Sequence, residues 1–306
     1  MLGGFSFVMN IASLEAESYD IAPGCVLRRA SKGEGAHIKA KLELFYAIEG
    51  MPDLSGAVWE KKLHASNSIE MLPPKEWRYF VIGFEAGNGP IEDLQRAFDV
   101  AACELEIGFT FCRLAENNQA LALLWRPDHV FHTLAAGRFD ESFFVKVASS
   151  DVEEIVSLYS LWGSCDRGTL AIASQLVTLK SLPYLSPLRF LGYFALLESL
   201  LTHAPKPEDR YDSIIRQVKK KLALLDARWT SKIDYRSFAG LTPEHVWAKM
   251  YEYRSAVAHG GTPDFSGSLK SLGSPECALA LIKNTLKAVI RQSLAEPQLL
   301  RDLREC

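Results

Sequence analysis

The chain has 306 residues, 48% of them hydrophobic and 23% charged, with 34 Lys+Arg against 37 Asp+Glu for a formal net charge of −3. That length suffices for two domains with separate cores, and the composition is that of a globular protein, which excludes a disordered chain. No run reaches the ~20 apolar residues of a membrane-spanning helix, and the apolar residues 1–9 lack the positive flank of a signal peptide, so a cytoplasmic protein without a membrane partner is expected.

In chain order, residues 25–29 read as a strand and about 35–48 as a helix. The stretch 77–84, Trp-Arg-Tyr-Phe-Val-Ile-Gly-Phe, is the strongest strand signal, and Gly87-Asn88-Gly89-Pro90 is the turn that ends it. Helical spacing follows over 91–105, then a strand over 143–147. A helix over 151–162 has Ser150 or Asp151 as its N-cap and acidic residues in its first turn. This mixture predicts an α+β domain over 1–165. It contains no Gly-rich phosphate loop, nucleophile elbow or paired-carboxylate motif, and its role is left open.

Residues 163–168, Gly-Ser-Cys-Asp-Arg-Gly, read as a linker. Beyond them strand signals fade, and helices are expected at about 169–181, 184–203, 208–228, 243–259 and 275–295. They are separated by Pro183, Ala204-Pro205-Lys206-Pro207, Gly240-Leu241-Thr242-Pro243 and Gly273-Ser274-Pro275. Short connections between helices predict an all-α bundle over 166–306. Charge separates the halves as well. Residues 1–182 carry 16 Lys+Arg against 24 Asp+Glu, whereas residues 183–306 carry 18 against 13. A positive half suits a polyanionic partner.

Six scattered cysteines without a Cys-x-x-Cys pair read as reduced thiols, and they have no histidine beside them at zinc spacing. His129 and His132 form a His-x-x-His pair that can put two ligands on one helix face. No further ligand lies near in sequence, so no metal site and no cofactor are expected.

The sharpest chemical signal is Tyr251-Glu252-Tyr253-Arg254-Ser255-Ala256-Val257-Ala258-His259-Gly260-Gly261. Thr242 is a good N-cap before Pro243 at the first helical position, and Gly260-Gly261 offers a stop, so the helix is bounded at both ends. Val246, Met250, Tyr253 and Val257 make one apolar stripe. Arg254 falls roughly 40° from Met250 around an ideal helix, and His259 about 140° from Arg254. Arginine supplies a permanent forked cation for phosphate oxygens, and histidine exchanges a proton near neutral pH.

This stretch resembles the signature of the HEPN superfamily, an arginine followed by four to six residues and a histidine. The ending Arg-Ser-Ala-Val-Ala-His-Gly is most similar to the Apea-like branch, over roughly residues 182–295. The resemblance implies a helical bundle that pairs with a second copy, so that the Arg254 and His259 of both protomers flank a scissile phosphate in RNA. In that family many members are metal-independent ribonucleases and others only bind. It also points toward antiphage defence.

Glu198 lies in a segment, 185–201, whose only other charge is Arg189, and it shares a face with Leu191, Phe194 and Ala195. Such a carboxylate needs a partner. Arg254 is the expected one, either as an ion pair that fixes helix packing or as part of the site. Arg216, Lys219, Lys220 and Lys221 form a basic cluster, read as a solvated face or as RNA phosphate contacts. Ser255 and Tyr253, beside Arg254, are candidate RNA contacts, and Tyr253 with Tyr251 reads either as a base-stacking group or as core.

Overall fold

The apolar residues that open the chain form the central strand of a sheet. In a computed structural model, which describes residues 3–49, 57–64, 68–85, 91–113, 120–124, 143–204, 213–238 and 240–306, strand β1 (Gly4–Val8) is flanked by two antiparallel neighbours. These are β7 (Phe80–Phe84) and β8 (Ile107–Arg113). With β3 (Ser18–Ala22), β4 (Cys25–Arg29) and β9 (Ala120–Leu124), they build a six-stranded sheet of order β3-β4-β7-β1-β8-β9, antiparallel throughout. Successive side chains in a strand point to opposite faces. Phe5 and Phe7 therefore join Val81, Phe109 and Phe111 on one face, packed with Ile38 and Leu42 of α1 (Lys32–Glu49). On the other face the buried hydroxyls of Ser6 and Thr110 satisfy each other at 2.9 Å.

Shorter pieces complete this unit. Helix α2 (Ala57–Glu60) brings in Trp59, whose indole N–H donates to the Met9 carbonyl at 2.7 Å. Strands β5 (Lys61–Leu63) and β6 (Ile69–Met71) form a small hairpin, and β2 (Ile11–Leu14) pairs in parallel with β10 (Val145–Val147). Helix α3 (Ile91–Val100) packs on α4 (Ser149–Trp162), which also lies along β3.

Several boundaries differ from the sequence expectation. The strand expected from residue 77 begins at Phe80, because Pro74–Glu76 form a 3₁₀ turn that Trp77 closes. The helix expected to run to 105 ends at Val100. Asn10 takes the backbone instead, donating to the Glu104 carbonyl at 2.8 Å and accepting from the Glu106 N–H at 2.9 Å. Ala148 is the N-cap of α4, and the Asp151 carboxylate accepts its N–H at 2.9 Å. The turn at Gly87–Pro90 and the pair His129 and His132 lie outside the described residues.

The chain divides into two compact units, Met1–Gly163 and Ser164–Cys306, and the second is helical. Asp166 starts α5 (Arg167–Lys180) by accepting the Thr169 N–H at 3.0 Å, so helix begins inside the stretch read as a linker. Pro187 opens α6 (Pro187–Leu201), which is largely buried and keeps Leu188, Ala195 and Ser199 on one exposed face. It packs against α5, α7 (Ile214–Arg228), α8 (Pro243–Ala258), α9 (Pro275–Ala295) and α10 (Pro297–Glu305). A helix this apolar is stable only when most of its surface is covered by neighbours. The last helix, α10, was not expected from the sequence; Pro297 takes its first position. Among the described residues no helix is long and apolar enough to cross a membrane.

Candidate functional site

Helix α8 is fixed at both ends by local chemistry. The Thr242 hydroxyl accepts the His245 N–H at 3.3 Å, beside Pro243 at the first helical position. At the other end Gly260 takes φ +72°, which only glycine adopts without steric cost. The Gly260 N–H bonds to the Val257 carbonyl at 3.1 Å and the Gly261 N–H to that of Ala256 at 2.8 Å, the double closure of a Schellman motif. His259 is the C-cap, its N–H bonded to the Ser255 carbonyl at 3.1 Å and its ring exposed. Ser255 is half-buried.

The stripe expected on α8 faces the core, with Val246, Met250 and Tyr253 buried and Val257 half-buried. Arg254 at its edge reaches α6, where Nη2 donates to Glu198 Oε2 at 3.0 Å. The two side chains are 25% and 11% exposed, so the pair is largely shielded from water. The guanidinium also lies 5.7 Å from the centroid of the Tyr251 ring, which favours the cation from its face. Two polar atoms of this cluster, Arg254 Nε and Glu198 Oε1, are buried without a hydrogen-bond partner among the described residues. Buried orphans of this kind are uncommon.

Two residues expected at an RNA surface are core residues instead. Tyr253 is 3% exposed, stacked on Phe190 at 3.9 Å between centroids and met edge-on by Phe265 at 5.1 Å, so its ring has no free face for a base. Burial pushes its phenol pKa up and the negative charge of Glu276 adds to this, which keeps it neutral. Lys221 is buried, with Nζ 3.3 Å from the Arg304 carbonyl and 3.4 Å from Gln217 Oε1. It ties α7 to α10. Arg216 and Lys220 are exposed, and Lys219 is half-buried, 3.9 Å from Glu244 in the first turn of α8. Glu244 lies ten residues before Arg254, ~15 Å along the helix axis. Within one protomer the basic cluster therefore sits toward the opposite end of α8 from the Arg254 and His259 pair.

Phe190 and Phe265 also hold the last turns of α8, and neither carries a local sequence signal, because their role is contact with a residue far along the chain. Cys25 and Cys112 are buried, and Cys306 is exposed. Among the described residues no group of three or more His, Cys, Asp or Glu side chains is placed to hold a metal ion. Compared with models of known families, with curated proteins and with solved structures, the chain matches none.

Proposed function

We propose that the helical unit is a HEPN-type module, similar to the Apea-like branch, which pairs with a second copy and cleaves RNA without a metal. The observation that carries this reading is the Glu198 and Arg254 pair on the helix that ends in an exposed His259. A buried carboxylate anchors one edge of the guanidinium, and the Arg254 side chain is a quarter exposed. Anchored in this way, Arg254 meets a phosphoryl oxygen with little loss of side-chain freedom.

The chemistry assigned to these groups is a transesterification. His259 removes the proton from a ribose 2′-hydroxyl, and the 2′-oxygen attacks the adjacent phosphorus. Arg254 offsets the charge that grows on the non-bridging oxygens. The bond to the 5′-oxygen breaks, and a second histidine protonates the leaving oxygen. The products are a 2′,3′-cyclic phosphate and a 5′-hydroxyl. The second histidine comes from the partner copy, because the ~140° offset between Arg254 and His259 prevents one helix from building both sides of a cleft. Arg216 and Lys220 supply phosphate contacts away from the reacting atoms, giving affinity without base readout.

The test is incubation of the purified protein with mixed RNA in EDTA, with the new ends identified chemically. Cyclic phosphate ends that disappear in His259→Ala are expected, together with a dimer in sedimentation. Undiminished cleavage by His259→Ala moves the chemistry elsewhere. A second reading, a non-catalytic module that only binds RNA or dimerises, is favoured by one feature: Glu198 already neutralises Arg254. RNA binding without cleavage, with or without EDTA, selects it.

A further inference from the structure

A cleft of about 290 Å³ opens in the N-terminal unit beside the first turn of α1. Phe5 of β1 and Val26 of β4 both lie opposite Gly83 of β7, so these three residues form one row across adjacent strands. Paired residues of antiparallel neighbours point to the same face, and the missing side chain of Gly83 leaves a hollow between the other two. Phe84 and the exposed carboxylate of Glu85 border it.

Arg28 occupies the edge of this hollow. Its Nη1 donates to Glu34 Oε2 at 2.8 Å and to the Arg29 carbonyl at 3.1 Å, and its Nη2 donates to Glu34 Oε1 at 2.9 Å. Glu34 is itself anchored by the Ser31 N–H at 2.8 Å, so the guanidinium is set before any ligand arrives. A guanidinium has five N–H groups in a planar fork. Those that remain, on Nε and Nη2, share one edge, and a Cβ at position 83 would stand 3.1 Å from Nη2 and 3.6 Å from Nε. Glycine at 83 is what keeps that edge open.

We propose that this cleft binds a free α-amino acid with an apolar side chain. Its carboxylate takes the paired donors on Arg28 Nε and Nη2, a geometry that matches two oxygens at once. Its ammonium group goes to Glu85, and its side chain lies on Phe5 and Val26. Charge selects the zwitterion. One arginine and two glutamates line the cleft, so a simple anion meets a net negative wall, whereas a neutral zwitterion uses both signs. The volume lies just below the ~300–1,000 Å³ usual for small-molecule sites, which suits a small ligand.

Titration calorimetry of the full chain with L-leucine and L-phenylalanine tests this. The controls are 4-methylpentanoate and 3-methylbutylamine, each of which lacks one head group. Saturable one-site binding of at least one amino acid is expected. Affinity should fall about tenfold or more for both controls and for Glu85→Gln, as loss of a charged hydrogen bond implies. Glu85 is exposed, so that variant tests the site without threatening the fold, and Gly83→Val, which fills the hollow, should abolish binding. Saturable binding of neither amino acid overturns the proposal, as does binding undiminished in both variants, or equal affinity for either control.

Discussion

Arg254 and Glu198 stand 56 residues apart in sequence and 3.0 Å apart in space, joining α8 to the central helix α6 through a single hydrogen bond between opposite charges. Each keeps one buried polar atom unpaired among the described residues. The pair therefore serves packing between the two helices.

Glu198→Gln should destabilise the protein by ~2–3 kcal/mol, because removing one charge of a fully buried pair costs ~3–5 kcal/mol and Arg254 is a quarter exposed. Replacing both partners, as in Glu198→Leu with Arg254→Met, should cost less than the single change. Urea denaturation measures both. Equal midpoints for wild type and Glu198→Gln would remove the pair from the account of the fold.

Gly260→Ala should cost about 1–2 kcal/mol, since φ +72° forces a Cβ toward the following carbonyl. The variant is expected to fray the last turn of α8 and so move His259. A thermal melt with amide exchange at residues 256–261 checks this. Unchanged protection there would mean that the glycine does not set the helix stop.

Acid should weaken the N-terminal unit through Glu34. Burial raises its carboxyl pKa, but the Arg28 fork, the Ser31 N–H and hydroxyl and the Arg28 charge outweigh it and hold the group at about 2. A depressed carboxylate stabilises the fold above its unfolded value and loses that contribution as pH falls. Between about pH 4.5 and 2 the unfolded chain binds the extra proton, so stability should drop across that window. Glu34→Gln should be less stable than wild type at pH 7, with the difference shrinking toward pH 2. Parallel pH profiles would contradict this assignment.

The basic cluster should separate under mutation. Lys220→Glu, at an exposed position, should weaken RNA binding across sequences and lower the salt dependence by ~1 in slope, with the melting point little changed. Lys221→Ala should do the reverse, lowering stability through the lost contacts to Gln217 and the Arg304 carbonyl. Filter binding over a salt series, beside thermal melts, distinguishes the two. Loss of RNA affinity in a fully folded Lys221→Ala protein would refute the division.

What the sequence determined by itself is what adjacent residues decide among themselves. Thr242 with Pro243, Ser274 with Pro275, and Gly260 with Gly261 bound α8 and mark the start of α9, because caps and left-handed stops are built within a single turn. The all-apolar surroundings of Glu198 likewise required an inward carboxylate in need of a cation. Tertiary structure alone decided the rest. The sheet order places residues 4–8 between strands some 75 and 100 positions later, pairings for which no local pattern exists. Beyond Val100, where helix was expected to continue, Asn10 bonds the backbone of residues 104 and 106. Lys221 left the basic surface for the Arg304 carbonyl, and Tyr253 turned from a candidate stacking platform into a core ring on Phe190. In each case the deciding partner is remote in sequence. Burial there depends on which surfaces meet, and local propensity does not encode that meeting.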